Sequence, residues 1–294
     1  MFTADFFKEE TRNGYTISSK MKQVWAVELE LLNELDRVCR ALGVKYFLDS
    51  GTLLGAVRDN HFIPWDDDID VIMLREDYEV LKKRGVGLFN DSYHFQCAYT
   101  DVDYQRGHAQ LRKKNTCAMI PYEAKHVKFD QGIFIDIFVL DGLTPNRNER
   151  NKQFKDKNKI YNRMSIIGIP ASTKFFNTIV KRIVRFFFKI ICPTIPVMFK
   201  KYEKICQRYS DSKYVDKIMF RENMSEIKVL KRDWYADTID ILFEGNKYPI
   251  PIGYDSILKV HYGNNYITPA KAPASHGSLI LDDKRSYKDV LAEM

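Results

Sequence analysis

The apolar pattern of this chain predicts an α/β (α+β) fold, a mixed sheet flanked by helices, and three observations carry that prediction. Helical and strand-like periodicities alternate over the first half, in the order helix, strand, helix, strand, helix, strand. The strand-like runs, such as GIFIDIFVL, are apolar enough to be buried. Hydrophobic residues make up 45% and aromatic residues 13% of the 294, enough for a sizeable core and too many for wholesale disorder.

The elements follow in order. Met21, Trp25, Leu29, Leu32, Leu35, Val38, Cys39 and Leu42 recur at three- and four-residue spacing, so 18–42 reads as a helix. Ser18 or Ser19 caps its start and Gly43 stops it. Val44–Leu48 is a short buried strand, Ser50–Gly51–Thr52 a turn, and Leu53–Arg58 the start of a second helix. Pro64 ends whatever precedes it. Asp67–Leu74 then reads as a strand, Asp77–Lys83 as a helix, and Tyr93–Tyr99 and Gly132–Leu140 as strands. Together they assign an α/β core to residues 1–150. Beyond Pro145 the composition shifts to NRNERNKQFKDKNK, and 151–212 reads as a basic amphipathic helical segment. Residues 213–294 are loop-rich with tyrosines and are expected to complete a pocket.

Composition narrows the function classes. Five scattered cysteines without C-x-x-C pairing argue against a disulfide framework or zinc finger and for a reducing compartment. The N-terminal stretch does not read as a signal peptide, and no apolar run suits a spanning helix. The expected location is cytoplasmic.

The net charge of +7 is concentrated: ten basic residues and no acid fall between Lys157 and Tyr202, leaving the remainder slightly acidic. Within 174–191, Phe176, Ile179, Ile183, Phe187 and Ile190 share one helical face and Lys174, Lys181, Arg185 and Lys189 the other. Two readings compete, a helix docked on the protein with solvated cations and, favoured, one lying on an anionic membrane surface through 174–201. The apolar back face and the lack of a binding module argue against nucleic acid.

The chemistry concentrates in Tyr46–Arg75. Asp66, Asp67, Asp68 and Asp70 crowd beside Ile69, Val71 and Met73, which is costly without a neutralising cation. Strand alternation would send Asp66, Asp68 and Asp70 to one side and Asp67 to the other. Carboxylates at i and i+2 can hold one or two Mg²⁺ or Mn²⁺ ions. Upstream, Gly51 would let backbone approach a phosphate at a helix N-terminus. Asp136, alone in an apolar run, would complete the metal shell. Against these stand plainer readings: a solvated acidic loop, a structural Asp136, a glycine serving only its turn. His108 and His276 read as packing or surface residues, and the tyrosines 248, 254, 262 and 266 as aromatic core before any cation–π pocket.

A glycine turn, a D-x-D and a third acid on a later strand match the nucleotidyltransferase-fold signature. More specifically, GTLLGAVRDNHFIPWDDDIDVIMLREDYEVL closely resembles the signature of the LicD family, the phosphocholine transferases of bacterial surface polymers, shared with fukutin-related ribitol-phosphate transferases. QLRKKNT, GIFIDIFVLDGL and FEG…YPIPIGYDSILKVHYGNNY extend the resemblance over most of the chain except the basic segment.

The resemblance implies that Asp68, Asp70 and Asp136 bind metal and carry catalysis, with Asp66 an additional ligand. Gly51 and Thr52 would cradle the donor's phosphates, with Arg58 and Arg112 as charge partners. The implied donor is CDP-choline or another CDP-alcohol, such as a ribitol or glycerol derivative. The implied acceptor is a hydroxyl of a lipid-linked glycan of teichoic acid or lipopolysaccharide type, at the inner face of the cell membrane, and CMP leaves. The rivals are a D-x-D glycosyltransferase using a nucleotide sugar and a non-catalytic scaffold.

Overall fold

The computed structural model describes residues 2–101, 104–124, 126–167, 186–187, 194–270 and 279–294. A hairpin of β1 (Glu10–Arg12) and β2 (Tyr15–Ile17) leads into helix α1 (Ser19–Leu42). The Ser18 hydroxyl caps α1 by accepting the Met21 amide at 3.2 Å, and Gly43 closes it in the left-handed region at φ +68°.

Strand β3 (Phe47–Leu48) runs into helix α2 (Ser50–Asp59), then come β4 (Asp70–Leu74) and α3 (Arg75–Val80), extended by a π turn to Gly85. Strands β5 (Tyr93–Gln96), β6 (Ala109–Lys113) and β7 (Cys117–Met119) follow, then the short α4 (Pro121–Ala124) and the long β8 (Phe134–Gly142). Helices α5 (Arg147–Ile167) and α6 (Ile195–Cys206) precede β9 (Tyr214–Asp216) and β10 (Leu230–Lys231). The chain continues through the hairpin β11 (Thr238–Phe243) and β12 (Asn246–Pro251), α7 (Tyr254–Tyr262), β13 (Ile280–Asp282) and α8 (Tyr287–Ala292).

Seven of these strands form one mixed sheet around β8. β4 lies parallel to β8, with Asp70 opposite Asp136 and Leu74 opposite Leu140. β6 lies antiparallel to β8, with Gln110 also opposite Asp136. β3 extends the sheet beyond β4, β5 beyond β6, and β9 pairs with the far end of β8 at Asp141 and Gly142. Every residue of β8 is buried, which explains its nearly continuous apolar run. The stripe of α1 packs against β6 and β8.

Several boundaries differ from the periodicity reading. Residues 50–52 are the first turn of α2 rather than a separate turn. The strand expected from Asp67 starts only at Asp70, and Val44–Leu48 contributes just two paired residues. Val215, Leu230, Tyr235, Phe243, Tyr248 and Ile257 bury in the same core as α1. A second cluster joins Phe154 and Met164 of α5 to Met198, Phe199 and Tyr202 of α6 and to Met219. The apolar side of α6 is thus docked on the protein, with Lys200 and Lys201 exposed.

Of the expected membrane-facing stretch 174–191, only Phe186 and Phe187 fall within the described residues, and both are exposed. The rest of that stretch, like Cys192 and His276, lies outside them. Among the described residues no helix is long and apolar enough to cross a membrane. Cys39, Cys97, Cys117 and Cys206 are buried and free.

Candidate active site

The register of the two central parallel strands builds the site. Asp70 opens β4 and Asp136 lies two residues into β8, and the pairing sets them directly opposite one another. Residues opposite across a sheet share a face, about 5 Å apart. Asp68 reaches the same place from the segment before β4, so that carboxylate oxygens of Asp68, Asp70 and Asp136 lie within 4.8 Å of one another. Asp66, Asp67 and Asp68 form a second such group. Asp67 was expected on the opposite side. Because β4 begins only at Asp70, residues 66–69 do not alternate, and Asp67 joins the cluster.

A further carboxylate comes from α1. Glu28 is only 2% exposed, and its Oε2 has no hydrogen-bond partner. Burial first, then the charges of Asp68, Asp67, Asp66 and Asp136, push its carboxyl well above the usual range. Asp70 is likewise raised well above that range by burial and by Asp68 and Asp136, with Lys217 pulling the other way. Sequence reasoning passed over Glu28, although its position inside the stripe of Trp25, Leu29 and Leu32 was a signal: an acid on a core-facing helical stripe needs a partner.

Crowded hard oxygen donors and an orphaned buried carboxylate oxygen fit a divalent cation of the Mg²⁺ or Mn²⁺ type. Asp68, Asp70 and Asp136 could hold it, with Asp66 beside them. Asp66 abuts Gly51 so closely that a Cβ there would overlap its carboxylate. The glycine therefore makes room for an acid, where a phosphate had been expected. Thr52 is tied as well, its Oγ1 accepting the Asp70 amide at 2.9 Å and locking α2 to the start of β4.

The two arginines singled out from the sequence are placed away from a ligand role. Arg112 is buried and donates to Gln96 Oε1, Gly132 O and Gln110 Oε1 at 2.6, 2.6 and 2.5 Å. Gln110 Nε2 in turn donates to Asp136 Oδ1 at 2.7 Å. Arg112 thus orients Asp136 through Gln110, a chain made by alternation on β6 and its register with β8. Burial depresses Arg112 to about 10. Arg58 turns to Asp59, with both Nε and Nη2 on Oδ2 at 2.9 and 2.7 Å. It lies at the far end of α2, about 12 Å from Ser50 at 1.5 Å per residue.

Two residues read as unremarkable, or not at all, belong to the site. His108 Nε2 lies 3.3 Å from Asp136 Oδ1, its ring packed on Phe138 and Phe220. For His108 a packing or surface role had been favoured over contact with substrate. Lys217 donates to Asp49 Oδ2 at 2.7 Å and to Ser50 Oγ at 3.0 Å, pinning the corner where Ser50 adopts φ +49°. No local pattern marks Lys217, which lies 147 residues beyond Asp70 in the chain. Tyr248 and Tyr266 are core residues that donate to Asn33 and Asp255. A cavity of about 630 Å³ opens beside His108.

Residues 43–139 match the family described as LicD/FKTN/FKRP, nucleotidyltransferase domain, a span that includes every aspartate of the cluster. The chain is 25% identical over 249 residues to the lipopolysaccharide cholinephosphotransferase LicD of Haemophilus influenzae, covering 83% of this chain and 90% of that protein. It is 32% identical over 134 residues to the uncharacterized protein RP689 of Rickettsia prowazekii, covering 45% of each. A stretch of 40 residues is 50% identical to the human ribitol 5-phosphate transferase FKRP, covering 14% of this chain and 8% of that one. Residues 43–139 thus resemble the LicD/FKTN/FKRP nucleotidyltransferase domain, and the acid cluster lies within that match.

Proposed function

We propose that this chain transfers phosphocholine, or a closely similar alcohol phosphate, from a CDP-linked donor to a hydroxyl of a cell-surface glycan precursor, releasing CMP. One observation carries the reading: Asp70 and Asp136 stand opposite in register, and carboxylate oxygens of Asp68, Asp70 and Asp136 lie within 4.8 Å of one another. The similarity to a lipopolysaccharide cholinephosphotransferase along nearly its whole length supports the choice of phosphocholine.

In this reaction the acceptor oxygen forms a bond to the phosphorus bearing the alcohol, and the bond from that phosphorus to the oxygen of CMP breaks. Asp68, Asp70 and Asp136 would hold a divalent cation, which would supply neutralisation of the diphosphate and of the charge developing in the transfer. Arg112 and Gln110 fix the rotamer of Asp136, and Thr52 and Lys217 fix the backbone on which Asp70 and Ser50 sit. The acceptor's proton passes to the Asp136–His108 pair, of which His108 lines the cavity. The local FKRP match supports ribitol phosphate as the second reading.

The test is CMP release from CDP-choline, CDP-ribitol, CDP-glycerol and CDP-ethanolamine, with Mg²⁺ and with EDTA. Mg²⁺-dependent release from one of them is expected. Release that persists in EDTA, or in Asp70→Asn, would refute the metal assignment, and a glycosidic product would point to a sugar transferase. A peripheral position on the inner leaflet rests on the basic residues of 174–201. Sedimentation with anionic but not neutral liposomes is expected.

A further inference from the structure

The cavity beside His108 has a chemistry that the acid cluster does not explain. Its lining includes Lys157 of α5, only 2% exposed. The ammonium donates to the backbone carbonyl of Arg221 at 2.5 Å and lies against the rings of Phe154 and Tyr202, 5.0 and 5.6 Å from their centroids. Among the described residues it forms no ion pair with a carboxylate. Burial lowers its pKa. A buried ammonium that has only a carbonyl and two ring faces keeps one or more donors unmet, at a cost of several kcal/mol. Such an arrangement is stabilised by an anion.

The rest of the lining agrees. Arg106 and Arg221 add two guanidinium groups, and Asn158 and Asn162 add amide donors, while the acid lining the cavity, Glu222, is exposed. Arg221 is loosely held, 3.3 Å from Asp216. The cavity therefore runs from a basic wall to His108, whose Nε2 is 3.3 Å from Asp136. Its size suits a small organic phosphate.

We infer that this cavity is a phosphate-ester site in which Lys157, supported by Arg106 and Arg221, binds a phosphate group of one substrate while the acid cluster handles the reacting centre. The inference rests on the proposed transfer reaction and deepens it. Two sources share the chemistry: the diphosphate of a CDP-alcohol donor, or a phosphate carried by the acceptor. Most of the lining, from 157 to 165 and from 202 to 223, lies outside the matched domain at 43–139.

The experiment is calorimetric titration of the full chain with inorganic pyrophosphate in EDTA, so that binding reads the basic wall rather than a metal. Wild type and Asp70→Asn are expected to bind equally, which separates this site from the transfer reaction. Lys157→Met is expected to weaken binding tenfold or more. Asn162→Asp, at an exposed wall position where the fold is not at stake, is expected to weaken it at least threefold. Competition by CDP-choline assigns the site to the donor, and pyrophosphate binding unaffected by CDP-choline assigns it to the acceptor. Absence of pyrophosphate binding by wild type, or binding unchanged in Asn162→Asp and in any folded Lys157→Met, overturns the inference.

Discussion

The two ends of one strand pair make opposite electrostatic choices. At the start of β4 and β8, Asp70 faces Asp136, two acids in register, with Asp68 and Glu28 close by. Five residues further along the same strands, Arg75 follows β4 and faces Asp141 near the end of β8. There the guanidinium donates from Nε and Nη2 to the two carboxylate oxygens at 2.8 Å each, and from Nη1 to Glu203 at 2.9 Å. Lys82 also donates to Glu203 at 2.9 Å. Burial opposes the charge on Arg75, but Asp141 and Glu203 outweigh it and raise its pKa. One end is a neutralised network that closes the fold. The other is a crowd of acids in which burial and neighbouring carboxylates push Asp70 and Glu28 well above the usual range, a cost that a bound cation would relieve. Buried acids alone do not distinguish the two ends; a bidentate arginine at one and the crowding of carboxylates at the other do.

Substitutions at the two ends should therefore separate activity from stability. Asp70→Asn should reduce transfer by several kcal/mol of barrier, roughly a thousandfold, measured as CMP release. Its metal-free melting temperature should stay level or rise, because one of several crowded like charges is gone. A large loss of stability instead would put Asp70 in the scaffold class. Arg75→Met should do the reverse, destabilising the fold by about 3–5 kcal/mol in urea unfolding, since Asp141 stays buried without its partner. Adding Asp141→Leu should recover much of that loss, and failure to do so would mean that the pair is more than a neutralised network.

Mg²⁺ should sharpen the contrast. At a hundred times its dissociation constant it should stabilise wild type by about 2.7 kcal/mol, read as a rise in melting temperature. The increment should survive in Arg75→Met and vanish in Asp70→Asn.

The smallest effect is a calibration at a carboxylate that is satisfied without being a site. Glu34 accepts from Arg37 at 2.8 and 2.9 Å and from the Asn90 amide at 2.7 Å, and these partners hold its carboxyl below the ordinary 4.5. Its contribution is present above pH 4.5 and is lost as the pH falls through the lower folded value. Glu34→Gln should thus cost about 1 kcal/mol at pH 7 and nothing at the acid end of a pH–stability series. A constant difference across that series would show that packing, not charge, sets the effect.

Much of this was legible in the chain because it is local. The stripe and caps of α1, the buried run that becomes β8, and the crowding of Asp66–Asp70 are properties of neighbouring residues, and periodicity and charge density report them directly. The family signature lies in the same continuous stretch. Boundaries moved where pairing decides them: β4 could not be seen to start at Asp70, because a strand ends where its partner does, and Asp67 was sent to the wrong side as a result.

What the sequence by itself determined is the alternating core and the identity of the acids. What only the tertiary structure decided is which of them meet, and what stands behind them. The convergence of Asp136 on Asp70 is a matter of strand register, and the turning of Arg112 toward Gln110 follows from its place on β6. The insertion of Glu28 from α1, the bracing of Ser50 by Lys217, and the basic wall around Lys157 all join residues far apart in the chain. Electrostatic partners are chosen by distance in space, and no spacing along a chain encodes a distance that is closed only when the sheet forms.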